Sequence, residues 1–455
     1  MILSEIFLSS LRDCTGFCRE DFVAAHQSSP TVSVRLNKLK LSSSDILFSP
    51  EIKGRAVPWC EDAFYLNQRP SFTLDPLIHA GAYYVQEASS MFIYHALTSL
   101  LGNSRNLKAL DLCAAPGGKT TLLASLPHFQ MILANEIIQS RVSALIENIV
   151  KWGAHHVFVS NNDPRDLERL GDMFDVALVD APCSGSGLFR KDENAQHEWS
   201  EASVTHCSSR QKRIMESASK VIKEGGYLVY STCSFSKEEN EDIVDFLIGS
   251  GMYESVRVDL LAEWGIVESI SDQHDGYGYR FYPDRLQGEG FFCAILKKIT
   301  TDVASEFRPG SSALTFVKDT NSLKPWLSSF EGLAFYQKEN EVFVCQENSI
   351  QDLIVMKEVL RLRRSGMRIG ELIRNELIPD HELAMSTSLS AQLTKIELDC
   401  PTALKFLRRD QIETEMPSPG WNLVQHKGVV LGWVKVVQGR LKNHYPMPWR
   451  ILMRG

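Results

Sequence analysis

Through the middle of the chain, short apolar runs alternate with helix-length amphipathic segments. Leu107 to Leu112 reads as a strand ending in Cys113-Ala114-Ala115-Pro116-Gly117-Gly118, with a helix from Lys119. Met131 to Ala134 is a second strand ending at Asn135-Glu136, and a longer helical pattern runs from about Gln139 to Trp152. Val157 to Val159 is a third strand, ending near Asp163, and Asp175 to Val179 a fourth, ending at Asp180. A long helical segment covers about Ser200 to Lys223. Tyr227 to Tyr230 is a fifth strand ending at Ser231-Thr232-Cys233, and a helix follows from about Lys237 to Ile248. This rhythm predicts βαβ units and a parallel sheet, so the class is α/β. Ligands of such sheets bind outside the carboxyl ends of the strands. Gly117, Glu136, Asp163, Asp180 and Cys233 all fall there. Gly288 to Lys298 reads as a late strand, antiparallel at the sheet edge.

The flanks read differently. Residues 1–80 open helically and carry the basic stretch Arg35-Leu36-Asn37-Lys38-Leu39-Lys40, and residues 301–320 read as a linker or loose domain edge. No internal repeat is visible. The net charge is −8, which by itself points away from a nucleic-acid partner. The average hides an asymmetry. Lys357 to Arg374 and Trp421 to Gly455 are both basic, and the latter alternates apolar residues around Gly428, Gly432 and Gly439 as a small β-rich module would. Basic groups beside Trp421, Trp433, His444 and Tyr445 suit RNA phosphates and stacked bases; a solvated edge is the alternative. With 455 residues, roughly three domains are expected. Ten scattered cysteines show no repeated Cys-x-x-Cys spacing, so neither a metal site nor a disulfide framework is expected, and a reducing compartment suits them. Met1 to Ser10 lacks a basic n-region and Glu5 interrupts its apolar run. Neither a leader nor a membrane partner is expected, and the location is cytoplasmic.

Two readings compete for Cys113 to Thr120. A phosphate-binding loop would need glycine at position 113. The other is the S-adenosylmethionine loop of a Rossmann-like methyltransferase, where small residues admit the ligand to the backbone and the helix N-terminus holds its carboxylate. Glu136 is placed to accept hydrogen bonds from both ribose hydroxyls, or is a surface turn glutamate. Asp163 is placed near the adenine, or is a helix cap. The fourth strand ends in Asp180-Ala181-Pro182-Cys183. Cys183 stands where an amino-group methyltransferase would have an aromatic residue, which argues against methylation of an exocyclic nitrogen. Cys183 and Cys233 then face one pocket. Carbon 5 of a pyrimidine is a feeble nucleophile, and a thiolate added at carbon 6 makes it an enamine carbon able to take a methyl group. Both cysteines can gain from a position before a helix N-terminus, and spacing does not say which one attacks. Asp180 is the candidate acid near ring nitrogen 3, if it is protonated or shares a proton.

The runs Arg35-Leu36-Asn37, Val85-Gln86-Glu87-Ala88-Ser89-Ser90-Met91, Cys113 to Thr121, Asp180 to Gly185, Arg190-Lys191-Asp192, Tyr230-Ser231-Thr232-Cys233 and Gly290-Phe291-Phe292 together resemble the Sun-type RNA cytosine-5 methyltransferases. The likeness is dense over about 30–300 and looser beyond. It implies a class I methyltransferase core with an N-terminal α/β extension and a C-terminal PUA-like β-rich module. Divided accordingly, 1–80 is an RNA-binding extension, 81–300 the S-adenosylmethionine-dependent core, 301–384 an intermediate domain and 385–455 the PUA-like module. It also implies the roles. Cys113, Ala114, Ala115, Pro116, Gly117, Gly118, Lys119, Glu136, Asp163 and Asp180 hold or line the cofactor site, Cys233 is the nucleophile, and Cys183 helps release the product. Arg35, Arg190 and Lys191 are candidate phosphate contacts. The expected activity is 5-methylcytosine formation in RNA, foremost 16S ribosomal RNA, on a base flipped out of its helix. Free RNA or the small ribosomal subunit could present it, and the enzyme is expected to be a monomer. The alternatives are the same chemistry on transfer RNA, and an inactive RNA-binding or assembly protein.

Overall fold

The computed structural model describes residues 3–41, 47–300, 314–414 and 418–454. Helices Glu5–Ser10 and Arg19–Ala25 precede a four-stranded antiparallel sheet of β1 (Val32–Leu36), β2 (Lys53–Val57), β3 (Cys60–Leu66) and β4 (Tyr83–Val85), in the order β2-β3-β1-β4. The two helices do not cover that sheet. Their apolar residues Phe7, Leu11 and Phe22 pack instead with Phe189, Phe235 and Tyr282 of the central domain.

The central sheet holds β5 (Leu107–Asp111), β6 (Phe129–Asn135), β7 (Val157–Ser160), β8 (Phe174–Asp180) and β9 (Ile222–Thr232), all parallel, in the order β9-β8-β5-β6-β7. Both faces are covered. Along β8, Val176 and Leu178 join one buried cluster while Ala177 and Val179 join the other, the period-two alternation of a strand buried on both sides. Helix Gln139–Trp152 forms where its apolar spacing predicts, burying Val142, Leu145 and Ile149 on one face.

Two readings of the sequence need correction here. The helix beginning after Ser200 ends at Ser219, and β9 starts at Ile222, well before Tyr227. Val221 and Ile222 are buried, and Ile222 pairs with Phe174 as the first residue of β9, so the sheet rather than helical continuation claims it. Secondly, the late strand is not an edge. After β10 (Tyr253–Ser255), β11 (Val267–Ile270) and β12 (Tyr277–Phe281), strand β13 (Phe291–Lys298) runs antiparallel between β9 and β12. Gly278 and the charged Arg280 disguise β12 in the sequence. Gly278 lies against the Phe292 ring, and Arg280 is buried in an ion pair with Glu241.

Beyond the core, β14 (Thr315–Phe316), β15 (Leu333–Lys338) and β16 (Glu341–Gln346) are followed by β17 (Leu362–Arg364), β18 (Met367–Ile373) and β19 (Glu376–Pro379). All but β17 form an antiparallel sheet; β17 extends the central sheet beside β7. Strands β20 (Lys395–Glu397), β21 (Gly420–His426), β22 (Val429–Val437) and β23 (Arg440–Asn443), with helix Cys400–Arg408, make the last module. Its Phe406, Leu407 and Tyr445 share a core with Val34, Leu77 and Ala80 of the N-terminal region. The expected linker at 301–320 lies mostly outside the described residues, and the boundary expected after residue 384 falls inside helix His381–Met385. Among the described residues no helix is long and apolar enough to cross a membrane.

Candidate active site

The loop after β5 sits where the parallel strands diverge, β8 on one side and β6 on the other. Open α/β sheets bind ligands at that switch point. Backbone hydrogen bonds anchor it on both sides, from Leu112 N to Leu178 O (2.9 Å) and from Ala114 N to Asn135 O (2.9 Å). Gly117 begins helix Gly118–Ser125 at φ +110°, a left-handed conformation that favours glycine, and a Cβ there would stand 3.2 Å from Leu145 Cδ1. Asn135 ties neighbouring strand ends together, its Oδ1 accepting from Ser160 Oγ (2.8 Å) and Asn162 N (3.1 Å).

A cavity of about 340 Å³ opens above these strand ends. Cys113, Ala115, Glu136, Asp163, Asp180, Cys183 and Cys233 all line it. Ala114, Pro116, Gly118 and Lys119 line a smaller adjoining cleft of about 190 Å³, which shares Cys113, Ala115 and Asp180 with the cavity. Gly117 lines neither and serves the turn. Glu136 is buried, its Oε1 accepting from Ile138 N at 2.8 Å. Asp163 is exposed and performs the capping role, its Oδ1 accepting from Arg165 N at 3.0 Å; it borders the cavity as well. The residues suit S-adenosylmethionine: a carboxylate at the second strand end for ribose hydroxyls, apolar Ile137 and Pro164 for an adenine, and small residues beside the loop.

At the other end of the cavity the two thiols meet. β8 and β9 run in register, Asp180 beside Ser231, and Ala181 N donates to Ser231 O at 2.8 Å. The strands therefore deliver Cys183 Sγ and Cys233 Sγ to 3.1 Å from each other. The contact with Cys233, and then burial, pushes the Cys183 pKa well above the thiol's usual 9.0. Either sulfur can donate across this contact. Asp180 Oδ2 pairs with Lys119 Nζ at 2.7 Å, and Ser231 Oγ donates to Asp180 Oδ1 at 2.8 Å. Burial pulls the Lys119 pKa down, but the neighbouring acids, Asp180 foremost and then Asp111, with Cys233, more than restore it, so the net shift is upward. Asp180, the candidate acid, thus has Lys119 as its charged partner.

Two of the three candidate phosphate contacts are corrected. Arg35 is buried, donating to Gln86 Oε1 (3.0 Å), Thr121 Oγ1 (2.7 Å) and Gly118 O (3.2 Å) with its guanidinium over Trp152. It clamps β1 to the helix after the glycine loop. Arg190 has a side chain only 5% exposed, paired with Glu289 and donating to Ser29 O at 2.6 Å. Lys191 alone is exposed. The basic C-terminal stretches are likewise partly consumed inside. Arg364 donates to Ala154 O and pairs with Glu382, and Arg368 pairs with Glu341 and Asp380. Trp433 and Tyr445 are buried core residues, Trp433 Nε1 donating to Asp380 O. They are not a stacking surface; Trp421, packed between His444 and Lys435, is only partly buried.

Several site residues carry no sequence signal. Arg141 reaches back from helix Gln139–Trp152 to Ala115 O and toward Glu136. Arg210 and Arg213 line the cavity from helix Glu201–Ser219. Glu239, six residues after Cys233, is buried between the two cysteine loops. Only the three-dimensional return of these segments reveals them.

Comparison with known proteins follows the same outline. Residues 98–297 match the family model described as 16S rRNA methyltransferase RsmB/F, residues 3–88 that for the N-terminal domain of 16S rRNA methyltransferase RsmF, and residues 393–451 that for the methyltransferase RsmF PUA domain. The chain is similar to the ribosomal RNA small subunit methyltransferase F of Vibrio vulnificus, 31% identical over 98% of this chain and 97% of that one. It is similar also to that of Aeromonas salmonicida, 32% identical over 94% and 92%. Among solved structures, a methyltransferase homologue from Pyrococcus horikoshii aligns with TM-score 0.53 at 28% identity, over 65% of this chain and all of that one. The NSun6 of the same organism, solved with SFG, shares the fold at TM-score 0.55 and 20% identity, over 66% and 99%.

Proposed function

The chain belongs to the ribosomal RNA small subunit methyltransferase F family, and we propose that it methylates carbon 5 of a cytosine in small-subunit ribosomal RNA through a covalent bond to Cys233. As a family member it is an S-adenosylmethionine-dependent RNA methyltransferase. The observation that carries the finer reading is the pair of thiols in contact at the cavity end, beside Asp180 and Lys119. Methylation of an exocyclic nitrogen has no use for a thiol, whereas carbon 5 requires an activating nucleophile.

The residues divide the work as follows. Glu136, Asp163 and the loop from Cys113 to Lys119 hold the cofactor, which supplies an electrophilic methyl group. Cys233 Sγ, its proton lost to solvent, adds as the thiolate to carbon 6 of the flipped cytosine and forms the C–S bond, with Cys183 Sγ 3.1 Å away. The electron pair displaced toward ring nitrogen 3 is met by the proton held on the Lys119–Asp180 pair, and carbon 5 gains enamine character. After methylation a base takes the carbon 5 proton, that C–H pair forms the carbon 5–carbon 6 double bond, the C–S pair returns to Cys233 Sγ, and the proton on ring nitrogen 3 goes back to the Lys119–Asp180 pair. Cys183, 3.1 Å from the departing sulfur, assists this elimination. Lys191, the exposed one of the three basic candidates, is the phosphate contact this reading keeps.

The test is radiolabelled methyl transfer from S-adenosylmethionine to total RNA from a strain lacking the gene, with the RNA sized and its nucleosides separated. Label in 5-methylcytidine of small-subunit RNA is expected. Label in transfer RNA would overturn the substrate, and label in N4-methylcytidine would overturn the chemistry. No transfer despite cofactor binding would leave an RNA-binding protein.

A further inference from the structure

We propose that Glu239 is the positioning residue of the two-thiol site: its buried carboxylate ties the loop carrying Cys183 to the loop carrying Cys233 and sets which sulfur donates and which attacks. The catalytic half of this statement rests on the reading that Cys233 is the nucleophile.

Glu239 is 0% exposed. Its Oε1 accepts from Ser184 N at 2.8 Å and from Gln211 Nε2 at 3.3 Å. Its Oε2 accepts from Ser184 Oγ and from Ser234 Oγ, each at 2.5 Å. Ser184 directly follows Cys183, and Ser234 directly follows Cys233. One carboxylate therefore takes hydrogen bonds from the immediate neighbours of both thiols. Burial pushes the Glu239 pKa up, and the hydrogen bonds from Ser184, Ser234 and Gln211 pull it back toward the anion. Among the described residues no lysine or arginine forms an ion pair with it. Its backbone is held too, the buried Tyr230 Oη donating to Glu239 O at 2.6 Å. A buried anion without a countercharge is costly. Here it is retained where it does not touch the cavity, which points to a role exerted on its neighbours.

That role has a direction. The negative charge of Glu239 adds to the Cys233 contact and burial in holding the Cys183 thiol protonated. The other charged and titratable groups around the pair are Asp180 and Lys119 from the strand ends, Tyr230 on β9, and Cys207 and Arg210 from the packed helix Glu201–Ser219. Of the anions among these, Glu239 is the one fastened to both loops. Removing its charge while keeping its shape should let Cys183 ionise more readily and blur the distinction between the thiols.

Glu239→Gln tests this without RNA or cofactor. The full-length protein is pulsed with iodoacetamide across pH 6–10, and alkylation of Cys183 and Cys233 is read separately by peptide mass spectrometry. The wild type should label at Cys233 in preference to Cys183. In Glu239→Gln the ratio should fall by about tenfold, the change that a one-unit pKa shift produces. Glu239→Asp, which keeps the charge, should restore part of it. In steady-state assays Glu239→Gln should lower kcat with the KM for RNA and for S-adenosylmethionine nearly unchanged. An unaltered labelling ratio in Glu239→Gln would overturn the proposal. If that variant does not fold, Ser234→Ala removes one tie and should shift the ratio in the same direction by a smaller factor; an unchanged ratio there overturns it equally. A Glu239-dependent ratio in a protein that makes no 5-methylcytidine would refute the proposed function and leave the positioning role. 5-Methylcytidine formed with a ratio indifferent to Glu239 would do the reverse.

Discussion

The two cysteine loops start from neighbouring strands, yet they are built differently. The Cys233 loop is braced by its own sequel. Thr232 Oγ1 donates to Asn240 Oδ1 (2.6 Å), Asn240 Nδ2 returns to Ser234 O (2.8 Å), and Arg280 Nη1 holds Phe235 O at 2.8 Å. Phe235 also stacks on Tyr282 at 5.6 Å, inside the cluster that the N-terminal helices close. The Cys183 loop enters the same cluster at its end, through Phe189, but has fewer ties of its own near the thiol. Gly185 adopts φ +74° with open space around it, Leu188 is exposed, and the loop hangs from its neighbour through Ser184 on Glu239 and Gly187 N on Cys233 O (2.8 Å). A sulfur that must meet carbon 6 in one geometry belongs on the braced loop. A sulfur that acts as the product departs can sit on the hung one. The roles proposed for the two thiols follow this difference in scaffolding and not their shared strand-end position.

The largest effect that would sharpen this contrast comes from the thiols themselves. Cys233→Ala should abolish both methylation and adduct, a loss of about 10⁴-fold or more in kcat. Cys183→Ala should leave a covalent RNA–protein adduct on a denaturing gel. Adduct in Cys233→Ala instead would reverse the assignment. Next, Arg280→Met removes the cation of a buried pair and strands Glu241, with a cost of about 3–5 kcal/mol in chemical denaturation. Recovery in Arg280→Met/Glu241→Leu would show that the bracing is bought through this pair. A smaller loss, about 1–3 kcal/mol, is expected for Gly187→Ala, whose Cβ would fall 2.7 Å from Cys233 O and 2.4 Å from Gly290 O. Its methylation rate should fall further than its stability explains, because the contact pushes on the Cys233 loop itself. Smallest is Lys191→Ala at the exposed end of the Cys183 loop. It should weaken RNA binding and lower the salt slope of log Kd by about 1. Arg190→Ala should leave that slope unchanged and reduce stability, since its guanidinium is spent on Glu289, Ser29 and Gly288.

What the sequence could disclose follows the same divide. Strand ends are local: an apolar run followed by Gly117, Glu136, Asp180 or Cys233 announces its own position, and the parallel sheet gathers those ends at one rim. The fate of a charge is not local. Arg35 and Arg190 look alike to Lys191 in a sequence, but Gln86, Thr121, Ser29 and Glu289 that bury the first two come from distant segments. The same holds for Trp433, which an alternating β pattern can place either outward or, as here, beneath helix His381–Met385. Glu239 was invisible for a related reason, its partners Ser184 and Gln211 arriving from another strand end and another helix. Antiparallel β12, with a glycine and an arginine inside it, gave no apolar run to read, and so β13 looked like an edge.

The most direct test of the account is the identity of the protein–RNA bond. Cys183→Ala protein is incubated with small-subunit ribosomal RNA and S-adenosylmethionine, digested with trypsin and nuclease, and the cross-linked peptide is sequenced by mass spectrometry. The account predicts a methylated cytidine attached through the peptide containing Cys233. Attachment to any other residue, or no attachment while the same variant turns over normally, would contradict it.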